Sequence, residues 1–348
     1  MKKKILFITG SINQTQQMHK ISQELPDYDC WFSQIFTDSP VLKTLIRKTS
    51  LVDNTVVAGQ FKEKSERYLK DHELPNDYEG IINQYDLVVY CSDMIMAKKF
   101  RNTKTIWVQE GMIDKLTGWG TLVRRLNLPG WYAGNTALNG SSNACDIYCT
   151  ASDGYKDLIV QRGADPSKIL ITGMPNYDNN REFLYNDFPH RDYVMVATTD
   201  MRETYRREDR PAFIKQTVAI ANGRQLLFKL HPNEKFDRAE AEIREYAPQG
   251  TLIYQSGNTN HMVANCSELI TQYSTVVYIG ISLGKKVHSY FDLEELKRLT
   301  PIQNNGTSAI NIAQVCRDFI EFAGPKEHFL KNYQFNPVPV TEKEEIYA

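Results

Sequence analysis

The sequence predicts an α/β protein with two domains, each built on a parallel β-sheet with crossover helices. Short apolar, β-branched runs alternate along the chain with amphipathic segments, which is the pattern of successive strand and helix units. A polar stretch at residues 176–192, rich in Asn, Asp, Tyr and Pro, has neither a helical nor a strand period and separates two such series. The chain of 348 residues is long enough for two domains of ordinary size.

The first series of predicted strands lies before the polar stretch. It begins with a buried strand at residues 5–9, after which Gly10 and Ser11 open a loop into an amphipathic helix over residues 16–25. We therefore predict an N-terminal domain over residues 1–175. Its other strands are predicted at residues 87–90, 105–108, 147–150 and 169–172.

The second series follows the polar stretch and predicts a C-terminal domain over residues 190–325. The remaining residues, 326–348, contain Pro337 and Pro339 and end in charged side chains, so we predict a peripheral tail. The strands of the C-terminal domain are predicted at residues 193–197, 226–230, 252–254, 269–271 and 286–290.

Composition and charge favour a cytoplasmic protein that binds no nucleic acid. The 41 basic and 42 acidic residues are interspersed, so the chain lacks the basic footprint of a nucleic-acid-binding protein. No apolar run is long enough to span a bilayer, and the N-terminus runs into the first strand without a signal-cleavage site. The 6 cysteines are scattered, which favours reduced thiols over a disulfide framework.

A basic loop follows the predicted strand at residues 226–230. Ligands of open α/β sheets bind beyond the carboxyl ends of the strands, so Lys229, His231 and Pro232 lie where a ligand is expected. An imidazole and an ammonium group both donate hydrogen bonds to phosphate, which makes Lys229 and His231 candidate phosphate ligands. A histidine that only caps the strand end or a helix is the alternative.

A second such loop follows the predicted strand at residues 269–271. It contains Ser274 and Thr275 and leads into an apolar run at residues 276–281 that predicts a helix. Free backbone N–H groups and the helix dipole favour an anion at a helix N-terminus, so the loop is a second candidate phosphate site. An ordinary N-cap uses the same geometry and is the alternative. Two such loops in one half of the chain predict a site for a nucleoside mono- or diphosphate.

These loops resemble motifs of a known group of enzymes. Residues 229–232 (Lys-Leu-His-Pro) and 273–275 (Tyr-Ser-Thr) resemble the His-Pro and Ser/Thr motifs of bacterial GT-B glycosyltransferases, notably those that use CMP-activated sialic acid or Kdo. Residues 109–111 (Gln-Glu-Gly) are similar to the acidic-acidic-Gly motif that supplies the catalytic carboxylate there, and the Gln leaves Glu110 as the candidate. Residues 172–175 (Thr-Gly-Met-Pro) are similar to the segment that joins the two domains in GT-B enzymes and in UDP-N-acetylglucosamine 2-epimerases.

The resemblance implies two Rossmann-like domains with an interdomain cleft and a glycosyltransferase activity. The implied donor is a CMP-linked keto-sugar acid of the Kdo or sialic acid type, bound by the C-terminal domain, and the implied acceptor is a glycan or glycolipid. The donor is a substrate, and neither a cofactor nor a metal ion is expected, because the chain has no Asp-x-Asp element of the usual metal-dependent kind and His, Ser/Thr and Lys groups can balance the phosphate charge. The implied donor-binding residues are Lys229, His231, Pro232, Ser274 and Thr275, and His231 also offsets charge on the leaving nucleotide.

Three other functions remain open at this stage. An NDP-sugar 2-epimerase and a CDP-polyol phosphotransferase of the teichoic-acid type are both compatible with this fold. A nucleotide-sugar-sensing or scaffold module is the non-enzymatic alternative, since one fold serves many functions.

Two carboxylates follow predicted strand ends and are candidates for the chemistry. Glu110 precedes a glycine, which permits close approach of a ligand, and the resemblance assigns it general acid/base work on an acceptor hydroxyl. Asp200 is a candidate nucleophile for a retaining double displacement, whereas in an inverting reaction Glu110 alone acts, as base. A glutamate exposed at the surface is the alternative for Glu110.

Asp200 begins a charge-dense run that extends to Arg210. Arg202, Arg206 and Arg207 are candidates for clamping a sugar carboxylate or a phosphate, and we assign Arg202 to the donor site. A solvated helix start with intrahelical ion pairs is the alternative.

Aromatic and basic residues alternate with glycines between Gly111 and Gly140. Sugar faces stack on aromatic rings and basic side chains hold anionic groups, so this segment is a candidate acceptor platform. The alternatives are a helix at residues 122–126 with the aromatic residues in the core, and a peripheral contact with the inner face of the membrane.

Overall fold

The computed structural model describes residues 2–38, 43, 60–203 and 206–338. The chain divides into two compact units, of which the first contains residues 1–178 and 304–348 and the second contains residues 179–303. Within the described ranges each unit has one parallel sheet with connecting helices, so the predicted α/β class with two sheet-based domains is confirmed.

The first unit contains strands β1 (Lys4–Thr9), β2 (Asp29–Gln34), β3 (Leu87–Tyr90), β4 (Lys104–Val108), β5 (Ile147–Thr150) and β6 (Ile169–Ile171). They form a sheet in the order β2-β1-β3-β4-β5-β6. The order reverses between β1 and β3, which is where ligands bind in open α/β sheets. The α-helices described in this unit are Ile12–Gln23, Gln60–Asp71, Gly118–Arg125, Asp153–Gln161, Ser308–Glu321 and Phe329–Asn332.

The second unit contains strands β7 (Val194–Ala197), β8 (Leu226–Lys229), β9 (Leu252–Tyr254), β10 (Glu268–Thr271) and β11 (Lys286–His288). They form a sheet in the order β11-β10-β7-β8-β9, so the reversal here lies between β7 and β10. The α-helices described in this unit are Arg210–Ala221, Phe236–Tyr246, Thr259–Asn265, Val276–Ser282 and Leu293–Leu299.

The strands that were predicted accurately from the sequence are those whose two faces are both buried. All residues of β3, β5 and β7 are buried, so these strands read as uninterrupted apolar runs and match their predicted positions closely. β2 was not predicted, because its sequence DCWFSQ mixes polar and apolar residues and its first three residues are only half buried.

The first helix begins at Ile12, earlier than the predicted start at residue 16. Ser11 accepts a hydrogen bond from the backbone of Gln14, and the Gln14 side chain accepts one from the backbone of Ser11, which forms a capping box. The predicted start is too late for two reasons. Gln is less usual than Glu at this position of a capping box, and the first turn is polar, so its apolar residues show little helical periodicity.

Residues 304–325 lie in the first unit, although the sequence predicts them in the C-terminal domain. Ile312, Val315 and Phe319 of the helix Ser308–Glu321 are fully buried in the same apolar cluster as Ile5 and Val89. The apolar face of this helix thus completes the core of the first sheet, and a sequence pattern alone does not say which sheet covers such a face.

Part of the predicted peripheral tail is packed on the first unit. Phe329 is buried, and its ring stacks on Tyr333 with the centroids 4.4 Å apart. Residues 339–348 of the predicted tail lie outside the described residues.

Gly173, in the Thr-Gly-Met-Pro segment, allows the chain to approach the start of the helix Ser308–Glu321 closely. Its φ is +82°, and a Cβ atom there would overlap Ser308 Oγ and lie 2.9 Å from Asn304 Nδ2. Both the positive φ and the close packing against Ser308 therefore favour glycine at this position.

We expect Gly173→Ala to lower the free energy of unfolding by about 3 kcal/mol or more, because left-handed strain of about 1–2 kcal/mol adds to the overlap with Ser308. Gly163→Ala is the matched control: its φ is +109° and no atom lies within 4 Å of the added Cβ. Urea unfolding of both variants measures the difference. Equal losses in the two variants would contradict the packing role.

Candidate functional site

The predicted donor-binding loops lie at one edge of the second sheet, because the carboxyl ends of parallel strands share an edge. At the point where the strand order reverses, Thr199 Oγ1 donates to Gln272 Oε1 at 2.9 Å, and both residues are buried. This pair joins the loops after β7 and β10. The loops with His231 and Ser274 follow β8 and β10.

His231 lies on the loop after β8 with one ring nitrogen already occupied. The backbone N–H of Asn233 donates to His231 Nδ1 at 3.3 Å, and Nε2 has no hydrogen-bond partner among the described residues. With Nδ1 as acceptor, the neutral ring carries its proton on Nε2, which is a hydrogen-bond donor. About a third of the side chain is exposed.

Asp200 lies beside His231. Asn233 Nδ2 donates to Asp200 Oδ2 at 2.8 Å, and the same oxygen lies 3.6 Å from His231 Nδ1. The two predicted catalytic residues of this unit therefore belong to one group on adjoining loops, and their catalytic roles remain predictions.

The loop that carries His231 is held by a buried carboxylate that sequence reasoning missed. Glu234 Oε2 accepts from the backbone N–H of His231 at 2.8 Å and from the Thr198 hydroxyl, while Oε1 pairs with Arg210. The side chains of Glu234 and Arg210 are at most 1% exposed. A glutamate so close after the His-Pro pair was the available signal.

Arg202 is part of a network of ion pairs. Its guanidinium makes two hydrogen bonds of 2.7 Å to Glu242, and its Nε lies 3.2 Å from Glu208 Oε2. The same Glu208 oxygen lies 3.2 Å from Arg210 Nε, so the network continues to the His231 loop. The hydrogen bonds that Arg202 donates to Glu242 raise the pKa of Arg202. The carboxylates already balance its charge, and its assignment to the donor remains a prediction.

Lys229 points to backbone carbonyls. Its Nζ donates to the carbonyl oxygens of Leu230 at 2.9 Å and Gln255 at 3.0 Å, and burial lowers its pKa. These two hydrogen bonds connect the ends of β8 and β9. The predicted contact of Lys229 with a phosphate requires that they be replaced by hydrogen bonds to the phosphate. Pro232, in contrast, is exposed.

The two hydroxyl residues after β10 differ in their contacts. Ser274 Oγ accepts from the backbone N–H of Val276 at 3.4 Å. Thr275 is exposed, precedes the helix Val276–Ser282 and makes no capping hydrogen bond through its side chain. The Thr275 hydroxyl thus remains open to a ligand.

Glu110 lies at the carboxyl edge of the first sheet, on the loop after β4. Burial raises the pKa of its carboxyl, and Gln14 Nε2 is its hydrogen-bond donor at 3.4 Å. Gln14 Oε1 in turn accepts from the backbone of Gly10 at 2.8 Å and Ser11 at 2.9 Å, which orients the amide toward Glu110. A half-buried carboxyl with a raised pKa suits general acid/base work.

Gln109 explains the departure from the acidic-acidic-Gly pattern. It is buried, its Nε2 donates to the Gly111 carbonyl at 3.1 Å, and its Oε1 accepts from the backbone of Ala151 at 3.0 Å. A carboxylate could not donate to the carbonyl, so an amide is required to join the ends of β4 and β5.

The aromatic and basic segment forms a surface of the first unit. In the helix Gly118–Arg125, which starts before the predicted residue 122, Val123 is buried while Trp119 and Leu122 are 56% and 43% exposed. Trp119 Nε1 donates to the Tyr132 carbonyl at 2.8 Å, and Tyr132 is also exposed. The exposed aromatic residues exclude the core alternative for Trp119 and Tyr132. A pocket of about 640 Å³ beside this helix is lined by residues that include Arg124, Asn127 and Arg162.

The described residues contain no group of three or more His, Cys, Asp or Glu side chains suited to holding a metal ion. None of their helices has the length and apolarity needed to cross a bilayer.

Comparison with solved structures identifies the fold. A candidate UDP-N-acetylglucosamine 2-epimerase from Listeria monocytogenes superposes with a TM-score of 0.55 at 12% identity, covering 93% of this chain and 98% of that chain. The UDP-N-acetylglucosamine 2-epimerase of Neisseria meningitidis, solved with UDP-GlcNAc, gives 0.51 at 11% identity, covering 90% and 99%. The S. aureus MnaA structure with UDP gives 0.52 at 10% identity, covering 90% and 96%.

The shared feature is the fold. These likenesses confirm two Rossmann-like domains of the GT-B type. No family model and no curated protein matches the sequence. The predicted preference for a CMP-linked donor stays a prediction.

We expect Glu110→Gln to stabilise the protein near neutral pH. A carboxyl whose pKa is raised by folding stabilises the folded state most below its unfolded pKa, and that contribution is lost as the pH rises through the folded pKa. The neutral amide removes this loss, so the variant should have the higher Tm at pH 7 and a smaller Tm gain on acidification. Thermal unfolding from pH 4 to pH 8 is the measurement. A lower Tm at every pH would contradict the raised pKa.

Proposed function

We propose that this protein is a nucleotide-sugar-dependent glycosyltransferase. The observation that carries the proposal is the carboxyl edge of the second sheet, where the Thr199–Gln272 pair lies at the strand reversal between the His231 and Ser274 loops. His231 Nε2 and the Thr275 hydroxyl are donors that this unit leaves without protein partners among the described residues. They suit the oxygens of a nucleotide phosphate.

The chemistry assigned to each group follows from its contacts. His231 donates from Nε2 to the phosphate and, when protonated, offsets the negative charge on the leaving nucleotide. Glu110 supplies the acid/base carboxyl for an acceptor hydroxyl, because its raised pKa brings it nearer to the operating pH. Asp200 attacks the anomeric carbon if the reaction is retaining.

Nucleotide binding is further supported by proteins of like fold, since those from N. meningitidis and S. aureus were solved with UDP-GlcNAc and UDP. The donor proposed here is a CMP-linked keto-sugar acid, which the His-Pro and Ser/Thr motifs imply. An NDP-sugar 2-epimerase is the second candidate, favoured by the same fold likeness.

An acceptor distinguishes transfer from epimerisation, and the first unit offers a surface for one. Trp119 and Tyr132 are exposed in the same segment as the exposed Arg124 and Arg125, a composition that suits a glycan or glycolipid with anionic groups. The same combination of aromatic and basic groups suits a peripheral contact with an anionic membrane. An epimerase has no need of an acceptor surface.

We expect His231→Ala to weaken nucleotide binding roughly 10- to 150-fold, the equivalent of losing a charge-assisted hydrogen bond of about 1.5–3 kcal/mol. Calorimetric titration with CMP, CDP, UDP and GDP measures the affinity and ranks the bases. His261→Ala, on the helix Thr259–Asn265 of the same unit, is the control and should bind like the parent protein. Equal affinity of the His231 variant and the parent would remove His231 from the site.

The reaction class is tested by incubating the protein with nucleotide sugars and following the products by NMR. We expect donor consumption with sugar transfer only when an acceptor is present, and loss of transfer in Glu110→Gln. The anomeric configuration of the product decides the role of Asp200: retention requires a nucleophile, whereas with inversion Asp200→Asn should keep most activity. Conversion of UDP-N-acetylglucosamine to its 2-epimer without acceptor would refute the transferase proposal.

A further inference from the structure

Two exposed tyrosines lie at the carboxyl edge of the second sheet beside the strand reversal. Tyr273 follows the end of β10 and is 41% exposed, and Tyr290 follows the end of β11 and is 47% exposed. Phe291 lies next to them. These rings are not members of the apolar cluster around β7 and β8, and both tyrosines leave part of their surface exposed at this edge.

Contacts hold the rings in place. The Tyr273 ring stands nearly perpendicular to those of Tyr290 and Phe291, at 83° and 77°, with centroids 5.5 and 5.1 Å away. The backbone N–H of Tyr290 donates to the Gln272 carbonyl at 3.2 Å, and Ser289 Oγ donates to the same oxygen at 3.0 Å. The Tyr290 ring also contacts the buried ring of Phe213. Rings fixed before binding lose little entropy when a ligand stacks on them.

The position of these rings identifies the ligand group. Gln272, between β10 and Tyr273, accepts the Thr199 hydrogen bond at the strand reversal, and Ser274 follows directly in the chain. The loop after β10 therefore carries both the exposed Tyr273 ring and a candidate phosphate contact. A nucleotide has a planar base and a phosphate at opposite ends of one ribose, which matches this combination.

We propose that the Tyr273 ring is the nucleobase platform of this site and that Tyr290, whose ring stands nearly perpendicular to it, holds it in place; this role rests on the proposed nucleotide binding. The base stacks on an exposed ring face. Stacking depends on the π-face that every base has, so the platform adds affinity without selecting one base.

The test compares CMP with ribose 5-phosphate, which lacks the base, by calorimetric titration. Tyr273→Ala and the Tyr273→Ala/Tyr290→Ala double variant should bind CMP roughly 5- to 100-fold more weakly than the parent, the usual effect of removing a stacking ring. Their affinity for ribose 5-phosphate should not change. Tyr273→Phe keeps the ring and should bind CMP like the parent.

Tyr185→Ala is the matched control, because Tyr185 belongs to the same unit and is 82% exposed. It should leave CMP affinity unchanged. Tyr273→Leu retains an apolar contact with Phe291 but no ring face, and it replaces Tyr273→Ala if thermal unfolding shows that the alanine variant is not folded.

Unchanged CMP affinity in the folded Tyr273 and double variants overturns the platform while the proposed function stands. An equal loss of affinity for CMP and ribose 5-phosphate also overturns it, because the substitution then acts on the phosphate loop. A parent protein that binds none of CMP, CDP, UDP and GDP overturns the proposed function, and the platform with it.

Discussion

Glu234 accepts hydrogen bonds from the His231 backbone and from the Thr198 hydroxyl while it pairs with Arg210, and the geometry of the candidate donor site depends on this one buried carboxylate. Removing either partner of a buried ion pair leaves an uncompensated charge, at a typical cost of about 3–5 kcal/mol. The pair therefore holds the loop after β8 in one conformation. Arg210 also approaches Glu208, which links this loop to the charged segment after β7.

The first unit orients its candidate carboxyl by a different means. Gln14 has its amide oxygen held by two backbone N–H groups of the helix cap, so its amide nitrogen is left to face Glu110. Gln109 fastens the neighbouring strand ends. Neutral amides orient Glu110 without adding a positive charge that would lower its pKa, and burial remains the main influence on that pKa.

In both units the candidate residues lie at the carboxyl edge of the parallel sheet, where open α/β sheets bind ligands. His231 Nε2 and the Thr275 hydroxyl, which have no protein hydrogen-bond partner among the described residues, lie at this edge in the second unit. The carboxylate of Glu268, at the opposite end of β10, is instead held by Arg224, Lys286 and His288.

The sequence alone determined the α/β class, most strands and the position of the loops that carry the candidate site. Strands buried on both faces must be apolar throughout, and a loop after such a strand must lie at the sheet edge, so local composition is sufficient for these inferences.

Only the tertiary structure decided where long side chains point and which sheet a helix covers. Lys229 and Arg202 are both positively charged, and the sequence does not distinguish their partners. In the fold Lys229 donates to backbone carbonyls and Arg202 donates to Glu242. The helix Ser308–Glu321 covers the first sheet although it follows the second along the chain. Each outcome depends on residues that are far away in the sequence and compete for the same polar group or apolar face. A local sequence pattern cannot show which of them binds.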